Sequence, residues 1–283
     1  MLEFHGKSIE AAIFDMDGTM FDTERLRFQT ITQAAQELAG VTLAESLLID
    51  CLGLSATSAA ALTRERHGPD FPYEAVRRRA DELELAHVRA RGVPIKPGLL
   101  PVLERLRRAG LKMAVATSSR RAIAEEYLIN AGVFKYFDLL VCGDEVTRGK
   151  PDPEIFERAA AALNCATGHA LMLEDSENGL RSAIAAGGQA VLLVDIKPPA
   201  EAVAAGALAR YDSLSDFQAD LTLSTPNLPM PATTEPFAQA VNLKQVGIHG
   251  FGAMGGGYPA QVLSPSDGYT RTAPIVARTA TPL

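Results

Sequence analysis

Short apolar runs separated by longer amphipathic stretches set the rhythm of this chain. The apolar runs lie near residues 11–16, 112–117, 138–142, 170–174 and 189–195. Segments with helical apolar spacing near 98–109, 119–131, 153–163, 176–186 and 198–205 separate the later runs. Strand and helix in alternation predict an α/β fold with a parallel sheet covered on both faces. Ala190-Val191-Leu192-Leu193-Val194 is apolar at every position, as a strand buried on both faces requires. Asp152 followed by Pro153 reads as a helix N-cap with proline at the first helical position, which leaves Lys150 in the loop before it.

The first strand has no simple crossover. Residues 23–93 intervene before Lys96-Pro97-Gly98 and read as mostly helical, with breaks at Gly40, Gly53, His67-Gly68-Pro69 and Gly92-Val93-Pro94. At the other end, residues 222–236 are rich in proline and threonine, a linker composition. Beyond them Gly250, Gly252 and Gly255 make a G-x-G-x-x-G after a strand-like run. The acidic ribose partner of such a fingerprint belongs at the end of the next strand. No acid follows Ile275-Val276-Ala277, so a working dinucleotide site is not expected.

Chemistry-bearing residues collect at the ends of the strand-like runs. Asp15-Met16-Asp17-Gly18-Thr19 follows the first. In an extended strand residues i and i+2 point the same way, so Asp15 and Asp17 can face one small volume. Gly18 lets the backbone turn sharply and approach a ligand. Thr117-Ser118-Ser119 ends the second run, Gly149-Lys150-Pro151-Asp152 precedes a helix, and Glu174-Asp175-Ser176 ends another run. Ligands of open α/β sheets bind outside the carboxyl ends of the strands.

In this order the four segments resemble the four motifs of the haloacid dehalogenase-like (HAD) superfamily of phosphotransferases, across about residues 10–220. Asp15-Met16-Asp17-Gly18-Thr19-Met20-Phe21-Asp22-Thr23-Glu24 is similar to the branch of β-phosphoglucomutase and small sugar-phosphate phosphatases. The resemblance implies a Rossmann-like core over 1–22 and 94–220, with a helical cap inserted at 23–93 that closes over the site. It implies Asp15 as a nucleophile forming an aspartyl-phosphate and Asp17 as general acid and base. Mg²⁺ is the implied cofactor, held by the Asp15 carboxylate, the Asp17 backbone carbonyl and Asp175, hard oxygen ligands all. Glu174 orients coordinated water from outside that set. Thr117, the Ser118 N–H and Lys150 bind the phosphoryl oxygens. Asp22, Ser119 and Ser176 are expected in turns and helix caps. Gly53-Leu54-Ser55 lies where related caps contact substrate.

The expected activity is phosphatase action on a small sugar or polyol phosphate, with β-phosphoglucomutase-like phosphomutase action as the alternative. The C-terminal stretch resembles the opening of a polyol or mannitol-1-phosphate dehydrogenase, which occurs fused to HAD-like phosphatases in a bifunctional design. Mannitol 1-phosphate is therefore the preferred substrate. Residues 221–240 become a linker, and 241–283 a truncated start of a dinucleotide-binding segment.

Composition adds limits. The 283 residues are 47% hydrophobic and 22% charged, ordinary for a globular protein. No apolar run reaches the length needed to span a bilayer, and residues 1–10 carry no signal-peptide pattern, so a cytoplasmic location is expected. Cys51, Cys142 and Cys165 show no paired spacing and read as buried reduced thiols. The net charge of −7 argues against nucleic acid or an anionic membrane as partner. Residues 221–283 carry +1, leaving −8 on the rest. A phosphate must therefore enter against the overall field. Arg77-Arg78-Arg79, with Asp81, Glu82 and Glu84 on the next turn, reads as an ion-paired solvated face. Composition does not indicate the oligomeric state.

Overall fold

β1 (Leu2–Phe4) and β2 (Lys7–Ile9) form an antiparallel hairpin that turns at His5 and Gly6. The chain then enters β3 (Ala11–Phe14), buried at every position. This strand stops short of the predicted residue 16. Asp15 makes one more sheet hydrogen bond, donating its N–H to Leu173 O at 2.9 Å, and the backbone turns back immediately, with Met20 N–H on Met16 O. The computed structural model describes residues 2–224. The Gly250-Gly252-Gly255 fingerprint, the segment 241–283 and all but the first residues of the predicted linker 221–240 lie outside the described residues.

Five more strands join β3: β4 (Lys112–Thr117), β5 (Leu139–Cys142), β6 (Ala170–Glu174), β7 (Gln189–Leu193) and β8 (Ala209–Tyr211). Their order is β5-β4-β3-β6-β7-β8 and every pairing is parallel. The chain winds outward from β3 on one side, then returns across it to build the other. The switch point lies between β3 and β6, where a crevice opens at the carboxyl ends. Phe14 pairs with Val115 on one side and Leu173 on the other. Asp15, Ala116 and Glu174 therefore follow at one level, at the mouth of that crevice.

Side chains alternate between two apolar layers, as period 2 requires. Ala12, Phe14, Met113, Val115 and Leu173 pack with α5 (Leu99–Arg108), α6 (Arg121–Asn130) and α10 (Leu214–Ser224). Ile13, Ala114, Ala116 and Met172 pack with α7 (Glu154–Ala162), α8 (Glu177–Ala185) and α9 (Glu201–Ala204). Between β3 and α5 stand α1 (Thr23–Ala39), α2 (Glu45–Cys51), α3 (Ala56–His67) and α4 (Tyr73–Arg91). They share a separate core that includes Leu47, Leu48, Phe71 and Val76. Each of the four predicted breaks in this stretch holds a glycine with positive φ, at Gly40, Gly53, Gly68 and Gly92.

Several details depart from expectation. α10 runs on through residues 221–224 because Leu221 is fully buried against the sheet, so the linker composition begins inside a helix. The helix predicted over 198–205 shrinks to Glu201–Ala204, since Pro198 and Pro199 supply no N–H. Pro153, not Asp152, stands at the N-cap of α7; the Asp152 side chain accepts the Glu154 N–H at 3.0 Å from one residue further back. Of the three arginines at 77–79, only Arg79 is ion-paired among the described residues, with Glu37 and Glu82. Asp81 and Glu84 are claimed by Arg27 from α1 instead. All three cysteines are free; Cys142 and Cys165 are buried, whereas Cys51 is half-buried. No described helix is long and apolar enough to cross a membrane.

Candidate active site

The site assembles from four strand-end segments. Asp15 sits just past β3, buried, with 7% of its surface exposed. Lys150 reaches it from the loop before α7, and its Nζ donates to Asp15 Oδ1 at 2.5 Å, Glu174 Oε1 at 2.5 Å and Ala116 O at 2.9 Å. The Phe156 ring lies 5.2 Å from the same nitrogen. Glu174 has no exposed surface at all. Its second oxygen accepts from the N–H of Asp175 and Ser176 and from the Ser176 hydroxyl, at the start of α8. Ser176 also caps that helix, accepting the Gly179 N–H at 3.0 Å, as predicted.

The turn after Asp15 explains the glycine. Gly18 has φ +84°, and a Cβ there would stand 2.2 Å from Asp175 Oδ2. Thr19 follows and donates its hydroxyl to Asp175 Oδ1 at 3.0 Å. The same turn aims Asp17, whose Oδ1 accepts from the Thr23 hydroxyl at 2.8 Å and whose Oδ2 accepts from the Ser119 hydroxyl at 2.7 Å. Thr117 is fully buried and accepts the Ser119 N–H on its hydroxyl, while Ser118 is exposed at the mouth.

The structure thus brings Asp15, Lys150, Glu174 and Asp175 into direct association, with Asp17, Thr117 and Ser118 on the same rim. One expectation needs correction: Ser119 holds the Asp17 carboxylate and is not a helix cap. Asp22 does stand at the N-cap of α1, but its side chain pairs with Arg25 at 2.7 Å and makes no capping hydrogen bond. Thr19 and Thr23 were not singled out from sequence. Their position inside the Asp15–Glu24 segment was the available signal.

Oxygens of Asp15, Glu174 and Asp175 all lie within 4.8 Å of one another. Three carboxylates facing one ammonium leave an excess of negative charge. Burial pushes the Asp15 carboxyl well above the usual carboxylate range, against the pull of Lys150. Burial does the same to Asp175, reinforced by Asp15 and Glu174. Burial works to lower Lys150, but Asp15 and Glu174 outweigh it and hold the ammonium charged. A divalent cation with oxygen ligands fits this donor set and corrects its charge.

Comparison with known proteins agrees with this geometry. The family model of the haloacid dehalogenase-like hydrolases matches residues 12–193. A phosphorylated-carbohydrates phosphatase of Thermotoga maritima is 34% identical over 179 residues, covering 63% of this chain and 82% of the relative. A validoxylamine A 7'-phosphate phosphatase of Streptomyces hygroscopicus subsp. limoneus is 30% identical over 184 residues, with coverage of 63% and 82%. The crystal structure of CbbY from Rhodobacter sphaeroides in complex with phosphate is similar at a TM-score of 0.63 and 27% identity, over 75% of this chain and 99% of that one. The family match and the phosphatases among its relatives make this chain a phosphoric monoester hydrolase. The chain belongs to the haloacid dehalogenase-like hydrolase family.

Proposed function

We propose that this hydrolase is a Mg²⁺-dependent phosphatase of a small sugar or polyol phosphate, working through an aspartyl-phosphate on Asp15. The observation that carries the reading is the meeting of Asp15, Glu174 and Asp175 within 4.8 Å, with Lys150 bonded to two of them, at the mouth of the switch-point crevice. The named activities of the relatives on phosphorylated carbohydrates support the substrate class. Mannitol 1-phosphate is the preferred substrate within it, on the resemblance of the C-terminal stretch to a mannitol-1-phosphate dehydrogenase.

Each residue then has a part. An Asp15 carboxylate oxygen attacks phosphorus in line as the bond to the sugar oxygen breaks. Asp17 gives its proton to the departing alkoxide, then takes one from the water that attacks the phosphoenzyme and restores Asp15. The hydroxyls of Thr23 and Ser119 fix the Asp17 carboxylate for both transfers. Lys150 balances the charge that moves between Asp15 and the phosphoryl oxygens, and Thr117 and the Ser118 N–H complete the phosphoryl cradle. Asp15, Asp175 and the Asp17 carbonyl are the residues that would hold Mg²⁺, with Glu174 orienting its coordinated water. When bound, the ion supplies charge neutralisation for the incoming phosphate.

The test is phosphate release from hexose and hexitol phosphates, with and without Mg²⁺. Release from mannitol 1-phosphate that stops on chelation, and in Asp15→Asn, is the expected result. Interconversion of glucose phosphates with little release, or retained turnover in Asp15→Asn, would overturn it.

A further inference from the structure

A cavity of about 260 Å³ adjoins the reaction centre, with Asp175 in its wall and Gly53, Asn178, Asp195, Lys197 and Glu24 around it. Two of its donor groups each make one bond inside the wall and keep further protons. Asn178 donates to Gly53 O at 3.1 Å and Lys197 to Leu52 O at 3.2 Å. Two of its carboxylates keep acceptor oxygens unpartnered. Asp195 has only 6% of its side chain exposed and keeps Oδ2 without a hydrogen-bond partner. Glu24, in the first turn of α1, makes no hydrogen bond or ion pair among the described residues. The cations beside it on the helix are engaged elsewhere: Arg25 with Asp22 and Asp195, Arg27 with Asp81 and Glu84.

An unpaired, half-buried carboxylate is costly to keep. Here burial, then the charges of Asp17, Asp195 and Glu84, push its pKa up to about 7. A cavity wall that holds the unpartnered acceptor oxygens of Glu24 and Asp195 suits a ligand rich in hydroxyl groups, each of which brings a proton to donate.

We propose that Glu24 determines specificity, its carboxylate accepting a hydrogen bond from a hydroxyl of the substrate's carbon chain beside Asp175. The inference rests on the sugar or polyol phosphate reading. It names the group that distinguishes such substrates from plain phosphate esters.

The experiment compares wild type, Glu24→Gln and Glu24→Leu, as the full chain with Mg²⁺. The substrates are mannitol 1-phosphate, glucose 6-phosphate and p-nitrophenyl phosphate, which has the same phosphoryl group and no aliphatic hydroxyl. The readout is the ratio of kcat/KM for the hydroxylated esters to that for the aryl ester. Loss of a hydrogen bond to a charged group lowers that ratio about 10- to 100-fold in Glu24→Leu. Glu24→Gln keeps an acceptor oxygen and loses less. An unchanged ratio, whether both rates hold or both fall together, overturns the inference. A fall on all esters that added Mg²⁺ reverses assigns the carboxylate to a cation and overturns it as well. Wild-type turnover of the aryl ester alone would overturn the substrate reading itself, and this inference with it.

Discussion

Gly18 meets two demands in one residue: a backbone angle of +84° and a surface on which Asp175 rests. Any side chain is strained by the first and collides with the second. Gly18→Ala is expected to displace Asp175 and lower phosphate release by about 100-fold or more, since small misplacements at a reaction centre are that costly. A parallel loss of Mg²⁺ affinity in titration would locate the damage. Glu24 governs a pH effect. Its folded-state pKa of about 7 stands above the ordinary 4.5, so the folded state binds the extra proton. The stability tied to this group is full below about pH 4.5 and is lost as pH rises through 7. The melting-temperature advantage of Glu24→Gln over wild type should therefore be larger at pH 8 than at pH 5. The same scale shows what a sequence hides. Asp15, Asp17 and Lys150 could be singled out because the four segments that carry them come in the order of the family's motifs; alone, each fits a turn or a solvated surface. Ser119 and Thr23 could not, because a hydroxyl near a helix start fits a cap as well as it fits a carboxylate.

At the scale of elements, long signals were legible and short ones were not. The runs at β4, β6 and β7 are apolar through their middles, with polar residues only at their ends, because both faces of the sheet are covered, and the helix breaks show where glycine permits positive φ. The hairpin of β1 and β2 and the edge strand β8 have three residues each, too few to show a period. α10 escaped notice for another reason: its partner is distant in sequence. Leu214 and Phe217 pack in the same layer as Leu99. There Gly98, at φ +93°, has no room for a Cβ, which would stand 2.6 Å from Ser215 N. Gly98→Ala is expected to cost roughly 1–3 kcal/mol by forcing α5 from α10. Thermal or urea unfolding would measure it, with kcat little changed because the contact lies outside the catalytic residues.

At the scale of the whole molecule, residues 15, 116, 150 and 174 meet because one strand order carries the ends of β3, β4 and β6 to one edge of the sheet, where the loop before α7 brings Lys150. Pairing of that kind links positions more than a hundred residues apart, and only the order of the motifs hinted at it. The arrangement has a further consequence through Lys150. Its ammonium group has three protons, and all three already serve the protein, on Asp15, Glu174 and the Ala116 carbonyl. An arriving oxyanion cannot simply add to this nitrogen; it must displace a resident acceptor. A cation that draws Asp15 toward itself releases that proton for the newcomer, so each ligand prepares the place of the other. Linkage makes the benefit mutual and equal. Orthophosphate inhibition should tighten as Mg²⁺ is raised, and Mg²⁺ affinity should rise by the same factor when orthophosphate is present.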